Sequence, residues 1–249
     1  MADKKLYEEF HSGTTALTTI PTKSDFSLRN HLKVYDKYLK SGVEVLDIGC
    51  GGGAFSIYSA SKGAKTKGVD LSDKAIGENR KSISILHLEN NLRFEAEDFM
   101  QYSDSEQYDV IMMTEVLEHL PDDLAALRKV YDLLKPGGHF LMSVPSVNAP
   151  LHKKYIKEFG KDPFDERVGH LRRYTEDAIL DLLKKADFEV IESLLCEGYL
   201  RNWLFNDKLG QRFMRFNRYF VQDVVSFLDD HIFTPIWGES DIIIAAFKK

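Results

Sequence analysis

The sequence predicts an α/β protein built on a doubly wound parallel sheet. Beyond residue 42, short apolar segments that suit strands alternate with longer amphipathic segments that suit helices. Residues 108–113 are almost entirely apolar, which is typical of a central strand with both faces covered. A third observation is the stretch 45–53, where an apolar segment with an acid is followed by glycines at alternate positions. These glycines are Gly49, Gly51 and Gly53. A strand, a glycine turn and a helix bring the backbone close to a bound nucleotide.

The elements follow in order along the chain. Residues 1–24 are polar and predict a mobile arm or lid, and residues 25–40 carry an imperfect helical stripe. The strands are predicted at 44–48, 64–70, 92–96, 108–113, 139–144, 188–195 and within 240–249. The helices are predicted at 54–62, from the Ser72 cap to about 88, at 122–134, and from the Thr175 cap to about 185. Residues 145–170 lack a clear period and predict a long loop.

Composition narrows the class of protein. With 249 residues and 43% hydrophobic content, the chain can form a substantial core. A net charge of −6 argues against a dedicated nucleic-acid binder. Cys50 and Cys196 are the only cysteines, which excludes a disulfide framework and a cysteine zinc site. The sequence shows neither a signal peptide nor an apolar run long enough for a membrane span, so we expect a cytoplasmic protein.

Three acids narrow the choice of nucleotide. The glycine pattern alone also fits the dehydrogenase form G-x-G-x-x-A, so it leaves a nicotinamide enzyme open. Asp47 stands where it could face a cationic amino-acid moiety, and Asp70 ends the second strand, where a ribose diol would bind. Glu97-Asp98-Phe99 follows the third strand and offers a carboxylate to the amino group of an adenine.

With these motifs the chain resembles the class I S-adenosylmethionine-dependent methyltransferases over roughly residues 42–195 and the last strand. Further matches are Tyr108-Asp109-Val110-Ile111, Glu115-Val116-Leu117-Glu118-His119 and Leu134-Lys135-Pro136-Gly137-Gly138. The resemblance implies a Rossmann-like sheet of seven strands whose last strand, 241–247, is antiparallel and lies beside the sixth. It also implies a set of cofactor-binding residues, namely Asp47, Gly49, Gly51, Gly53, Asp70, Leu71, Asp98, Phe99 and Glu115.

The segment after the fourth strand carries the candidate chemistry. Transfer of a methyl group to oxygen requires the loss of a proton, and Glu115, Glu118 and His119 would share one face if this stretch were helical. With His170 as a fourth donor, the set suits Mg²⁺, Mn²⁺ or Zn²⁺. This pattern resembles the ubiquinone-pathway O-methyltransferases and the small-RNA 3′-terminal 2′-O-methyltransferases. Without a metal, Glu115 would border the cofactor and His119 would act as a base or a packing residue.

Two other regions bear on the acceptor. Residues 198–238 form an aromatic-rich insertion with a predicted helix at 211–228, whose apolar face would pack on the core, wall an acceptor pocket, contact a second copy, or lie on a membrane. This face comprises Phe213, Phe216, Phe220, Val224 and Phe227. Arg172 and Arg173 would bind an acidic substrate group or remain solvated.

The predicted organisation is an arm and cap helix at 1–40, a core at 41–197 and 239–249, and the insertion as a substrate cap. The function predicted is methylation of a small-molecule acceptor with aromatic or lipid-like character, on oxygen, with metal assistance as an option. An RNA 2′-O-methyltransferase and a non-catalytic cofactor-binding partner protein are the alternatives, and a homodimer is left open.

Overall fold

Seven strands form a single sheet in the computed structural model, which describes residues 4–206 and 220–249. They are β1 (Glu44–Ile48), β2 (Lys65–Asp70), β3 (Leu92–Ala96), β4 (Tyr108–Thr114), β5 (Leu134–Pro145), β6 (Phe188–Cys196) and β7 (Asp241–Lys248). Their order is β3-β2-β1-β4-β5-β7-β6. Neighbours from β3 to β5 are parallel, whereas β7 is antiparallel to both β5 and β6. The predicted doubly wound sheet with an antiparallel last strand is confirmed.

Helices flank this sheet. They are α1 (Lys4–Phe10), α2 (Arg29–Tyr35), α3 (Ala54–Ser61), α4 (Asp73–Leu86), α5 (Asp123–Leu133), α6 (Pro150–Phe159), α7 (Pro163–Val168), α8 (Glu176–Lys185), α9 (Tyr199–Asn206), α10 (Phe220–Leu228) and α11 (Thr234–Trp237). Ser72, Asp122 and Thr175 each accept a hydrogen bond from the backbone N–H three residues further on. These caps satisfy amide groups that the helix itself leaves without partners.

Strand β7 shows that both faces of the sheet are buried. Ile242 and Ile244 point into the larger core cluster, which also contains side chains of α5 and α8. Ile243 and Ala245 point into the opposite cluster, which contains side chains of α2. Because successive side chains of a strand alternate between faces, an apolar strand of this kind requires helices on both sides.

The strand order brings several strand ends to one edge. The chain moves outward from β1 to β3 and then returns to β4, so β1 lies between β2 and β4. The carboxyl ends of these parallel strands share one edge of the sheet, and ligands of such sheets bind where the strand order reverses. Because β7 is antiparallel, its first residue, Asp241, pairs with Pro145 at the end of β5 and lies at that edge too.

The long loop predicted for residues 145–170 is wrong, since this segment contains α6 and α7. Pro150 and Pro163 occupy the first turns of these helices, and Gly160 and Gly169 end them in the left-handed conformation. Proline at a helix start and glycine after its end are typical helix boundaries. Helix α6 has no buried residue, and two of its apolar side chains, Ile156 and Phe159, are exposed.

The N-terminal region contains more regular structure than the sequence predicts. The residues predicted as an arm contain α1 and a short 3₁₀ turn at His11–Gly13. The helical stripe of residues 25–40 forms only the seven residues of α2, where Leu32, Val34 and Tyr35 are buried. The boundaries of the arm and of the insertion stay predictions.

The insertion helix is described only in its second half, α10. Val224 and Phe227, predicted to share an apolar face, are 40% and 60% exposed, while Val225 is buried. Packing of this face on the core is therefore wrong for these two side chains, and Phe213 and Phe216 lie outside the described residues. Among the described helices, none has the length and apolar character that crossing a membrane requires.

Ile244→Ala should lower the free energy of unfolding by about 2–5 kcal/mol, since it leaves a cavity beside an interior strand of the sheet. Ile244 is fully buried, and β7 pairs at this residue with β5 on one side and β6 on the other. Urea unfolding followed by circular dichroism measures the loss. The matched control, Ile191→Ala on β6, removes a side chain that is 46% exposed and should cost less than about 1 kcal/mol. Equal losses in the two variants would contradict the interior position of β7.

Candidate active site

A glycine turn follows β1 and forms the base of the site. Gly49, Gly51 and Gly53 have φ angles of 65°, 49° and 76°, a region that favours glycine. At Gly49 a Cβ atom would lie 2.4 Å from Cγ2 of Val116, which follows β4. The turn can therefore lie against the segment after β4 only because position 49 has no side chain.

A cavity of about 500 Å³, the first cavity, lies over this turn. Most of the residues predicted to bind the cofactor line it, which are Asp47, Gly49, Gly51, Asp70, Leu71, Asp98, Phe99 and Glu115. Gly53 does not line it. Its missing side chain instead leaves room for Asn79 and Phe94, which a Cβ atom would approach to 3.0 Å.

Asp47 is enclosed at the end of β1. Its carboxylate accepts a hydrogen bond from Ser56 Oγ at 2.5 Å, and only 2% of the residue is exposed. Burial raises the pKa of Asp47 to about 7, the hydrogen bond from Ser56 opposes this rise, and the charge of Asp70 adds to it. A cation placed beside Asp47 would favour its ionised form.

Asp70 and Asp98 complete a row of acids along the strand ends. The two carboxylate oxygens of Asp70 accept hydrogen bonds from the N–H groups of Gly51 and Ser72, each at 2.8 Å. Asp70 therefore fixes the glycine turn to the start of α4, a structural role that the sequence did not indicate. Asp98 accepts from the N–H group of Met100 at 2.9 Å. Carboxylate oxygens retain lone pairs for ligand hydroxyl or amino groups.

Residues 115–119 do not form the helix on which the shared face of Glu115, Glu118 and His119 would depend. Only Leu117–His119 forms a 3₁₀ turn, and Glu115 has a φ of 53°, in the left-handed region. The Glu115 carboxyl accepts a hydrogen bond from Ser143 Oγ on β5 and contacts Asp241. Glu115 therefore does not share a face with Glu118 and His119, as the helical spacing predicted.

Glu118, His119 and His170 do come together. Nε2 of each histidine lies 3.7 Å from Oε1 of Glu118, and one ligand atom from each residue falls within 4.8 Å of the others. Glu118 has no exposed surface, and among residues 4–206 and 220–249 neither of its carboxylate oxygens has a hydrogen-bond partner. Burial raises the pKa of Glu118 well above its usual value, and the charge of Glu115 adds to the rise.

Both histidines are oriented through Nδ1. Nδ1 of His119 lies 3.2 Å from the carbonyl oxygen of Gly169, and Nδ1 of His170 lies 2.8 Å from Oδ1 of Asp165. Because these partners only accept, each Nδ1 carries a proton, and each Nε2 is directed toward Glu118. Burial, followed by the influence of His170, lowers the pKa of His119 to about 4. Histidines that bind a metal through one ring nitrogen typically donate a hydrogen bond from the other to a carbonyl or carboxylate oxygen, as here.

Asp165 is a functional candidate that the sequence analysis missed, since it lies in the segment treated as a loop. It also receives three hydrogen bonds from Arg173, whose side chain is only 9% exposed. Arg172 pairs with Asp123 and donates to the carbonyl oxygen of Pro121. Both arginines thus serve ion pairs within the protein, and the alternative that Arg173 is solvated is wrong.

A second cavity, of about 600 Å³, adjoins the first. The two cavities share five lining residues, which are Phe55, Thr114, Glu115, Phe164 and His170. Helix α1 covers the first cavity with Leu6, Tyr7 and Phe10, and the ring of Tyr7 lies 5.6 Å from that of His119. The polar pattern of residues 1–24 gave no indication of these wall positions.

Comparison with known proteins relates the chain to one family. The profile of a family described as a methyltransferase domain matches residues 25–193, more than half of the chain. A ubiquinone biosynthesis O-methyltransferase of Ruegeria pomeroyi is 30% identical over 203 residues, covering 76% of this chain and 79% of that protein. Its counterpart in Nitrosospira multiformis is 36% identical over 113 residues. This match covers 43% of the chain, which spans only 45% of that relative's length.

Solved structures show the same fold. The N-methyltransferase NodS of Bradyrhizobium japonicum, in complex with S-adenosyl-L-homocysteine, has a TM-score of 0.60 and 20% identity, with 98% of both chains covered. The phosphoethanolamine N-methyltransferase 2 of Haemonchus contortus has a TM-score of 0.62 and 20% identity, with 88% of this chain and 52% of that chain covered. At this identity the likeness establishes the architecture alone.

Asp47 should make the unliganded protein less stable as the pH rises. Between about pH 4 and pH 7 the folded state keeps a proton that the unfolded state releases, so the free energy of unfolding falls through this window. The Asp47→Asn variant has no ionisable group at this position. The difference between its free energy of unfolding and that of the native protein should therefore increase, in favour of the variant, by on the order of 4 kcal/mol as the pH rises from about 4 to 7. Urea unfolding at pH 4.5 and pH 8 tests this. The control variant Asp132→Asn changes an exposed residue and should show the same pH dependence of unfolding as the native protein. If Asp47→Asn also shows the native pH dependence, the pKa of Asp47 is not raised and the prediction fails.

Proposed function

The chain belongs to the family of S-adenosylmethionine-dependent methyltransferases, and from this premise we propose that it methylates an oxygen atom of a small-molecule acceptor. The observation that carries this proposal is the pair of adjoining cavities, one over the glycine turn and one beside it. Their shared wall at Thr114, Glu115 and His170 is where a donor and an acceptor could meet in line. Holding two reactants in line supplies much of the rate of such a displacement.

We assign the first cavity to S-adenosylmethionine. Asp47 would bind its cationic amino-acid end, Asp70 its ribose hydroxyls, and Asp98 with the backbone of Phe99 its adenine. The row of acids along the strand ends, the glycine turn below it, and the lining by Leu71 and Glu115 support this placement. The sulfonium supplies an electrophilic methyl group, and the protein positions it and shields it from water.

The second cavity suits the acceptor. Its wall includes the aromatic and apolar side chains of Phe55, Leu151, Tyr155 and Phe164, with His170 at the shared boundary. Pockets for small molecules are mostly apolar with a few convergent polar groups. This wall offers such an apolar side, but it carries more polar groups than usual, since Asp162, Arg173 and Asp241 also line it. An aromatic acceptor with a hydroxyl group directed toward His170 fits this lining.

Glu118, His119 and His170 would hold a divalent cation at the reacting group. The buried Glu118 carboxylate and the two Nε2 atoms directed toward it are a donor set that suits Mn²⁺ or Zn²⁺. Such a cation lowers the pKa of a hydroxyl group that it binds. Gly169 and Asp165 fix the two imidazoles so that both Nε2 atoms remain directed toward Glu118. Glu115 lies outside this set and instead borders both cavities.

The affinity for S-adenosylmethionine should rise roughly eightfold between pH 6 and pH 7.5. A cation beside Asp47 requires the ionised carboxylate, whose pKa is about 7 without ligand, so binding releases a proton at lower pH. Calorimetric titrations at these two pH values measure the change. Asp47→Asn should bind more weakly and without this pH dependence, and a native affinity independent of pH would contradict the assignment of Asp47.

Glu118→Gln should abolish metal-dependent methylation and leave cofactor binding intact. The amide preserves the size of the side chain but removes the negative ligand, so we expect at least a 100-fold loss of kcat. The assay follows methyl transfer to 3,4-dihydroxybenzoate after EDTA treatment, with and without added Mn²⁺, and mass spectrometry locates the methyl group. Calorimetry with S-adenosylhomocysteine is the control. If Mn²⁺ does not restore activity after EDTA, the metal assignment fails, and if no S-adenosylhomocysteine binds, the whole proposal fails.

A further inference from the structure

A second group of candidate ligands lies on the wall of the second cavity, apart from Glu118 and its two histidines. It consists of His31 on α2, Glu197 directly after β6 and Asp241 at the start of β7. One ligand atom from each lies within 4.8 Å of the others, and Nε2 of His31 is 3.3 Å from Oδ2 of Asp241. Three elements that are far apart in the chain thus converge on one point, and the proposed methyl transfer uses none of them.

Two members of this group are buried without adequate partners. The side chain of His31 is 7% exposed, and neither of its ring nitrogens has a hydrogen bond within the described residues. Oδ1 of Asp241 likewise has none, and that side chain is 9% exposed. A buried polar group without a partner costs free energy, so its persistence calls for a ligand that satisfies it.

Three carboxyl groups are crowded at this point. Glu115 lies against Asp241, which places a third carboxyl group beside Glu197 and Asp241. The guanidinium of Arg201 donates to Glu197 at 2.8 Å. Carboxylate oxygens are ligands that divalent cations such as Mn²⁺ accept, so such a cluster suits a bound cation.

Backbone geometry also directs two of these carboxyl groups to the cavity. Glu115 and Glu197 have φ angles of 53° and 63°, and each directly follows a strand. Non-glycine residues in the left-handed region are uncommon and store strain, which concentrates at functional sites. The two strand ends therefore turn in a costly conformation that brings both acids to the cavity wall.

We propose that His31, Glu197 and Asp241 bind a second divalent cation, Mn²⁺ or Zn²⁺, on the wall of the second cavity. One imidazole and two carboxylates form a donor set that these ions accept. An oxygen of the acceptor completes the coordination, so the site selects acceptors that carry a second polar oxygen away from the methylated one. This role toward the acceptor rests on the proposed function, whereas the cation site itself does not.

Counting bound Mn²⁺ tests the site. The protein is stripped with EDTA, titrated with MnCl₂, and free Mn²⁺ is followed by electron paramagnetic resonance. The native chain should bind two ions, while His31→Gln and His119→Gln should each bind one and the double variant none. Asp241→Asn, which preserves side-chain size, should reproduce the loss seen in His31→Gln. His139→Gln changes a histidine that stacks on Tyr38 away from both groups, and it should keep both ions.

The outcomes separate this inference from the proposed function. If the native chain binds one ion that His31→Gln abolishes and His119→Gln retains, the second site stands and the metal at Glu118 fails. If neither His31→Gln nor Asp241→Asn changes the number of ions or their affinity, the inference is overturned. Thermal unfolding and S-adenosylhomocysteine binding of each variant establish that a loss of Mn²⁺ reflects a loss of ligands and not of the fold.

Discussion

The absence of a side chain at Gly49 is the constraint on which the rest of the site depends. Val116 occupies the space that a Cβ atom at position 49 would need. The turn after β1 and the segment after β4 can therefore touch, and this contact sets the first cavity beside the residues that face the second. A separation of these segments would widen the distance between the two cavities. The geometry of an in-line transfer tolerates little such change.

Parallel strands explain why so many acids meet at one edge. Asp47, Asp70 and Asp98 lie at or just after the ends of β1, β2 and β3, and the antiparallel β7 brings Asp241 to the same edge. Burying carboxylates close together is costly, as the raised pKa of Asp47 indicates. Hydrogen bonds from backbone amides offset part of this free-energy cost, as they do at Asp70. A positively charged ligand would offset more of it.

Local patterns predicted the sheet well and the site only in part. The strands at 44–48 and 92–96 and the position of the first cavity over the glycine turn followed from apolar segments and from glycines, which act over a few residues. The turn at Glu115 could not be predicted from the local sequence. Its φ angle depends on how the segment after β4 packs against the turn at Gly49, which is distant in sequence. The roles of Asp165 and His31 depend on contacts between segments that are distant in sequence. Helix α6 is bounded by Pro150 and Gly160, signals that are local and that the interpretation of residues 145–170 as a loop overlooked.

Helix α1 gives the first cavity a roof with little hold on the rest of the protein. None of its residues is buried, and its attachments include hydrogen bonds from Ser72 and Asp73 to Glu8 and an exposed ion pair between Lys4 and Asp73. A ligand in the first cavity would lie beneath Leu6, Tyr7 and Phe10 of this helix. Because exposed ion pairs weaken as salt is added, we expect the dwell time of such a ligand to depend on ionic strength. Release of a product past α1 would then contribute to turnover alongside the chemical step.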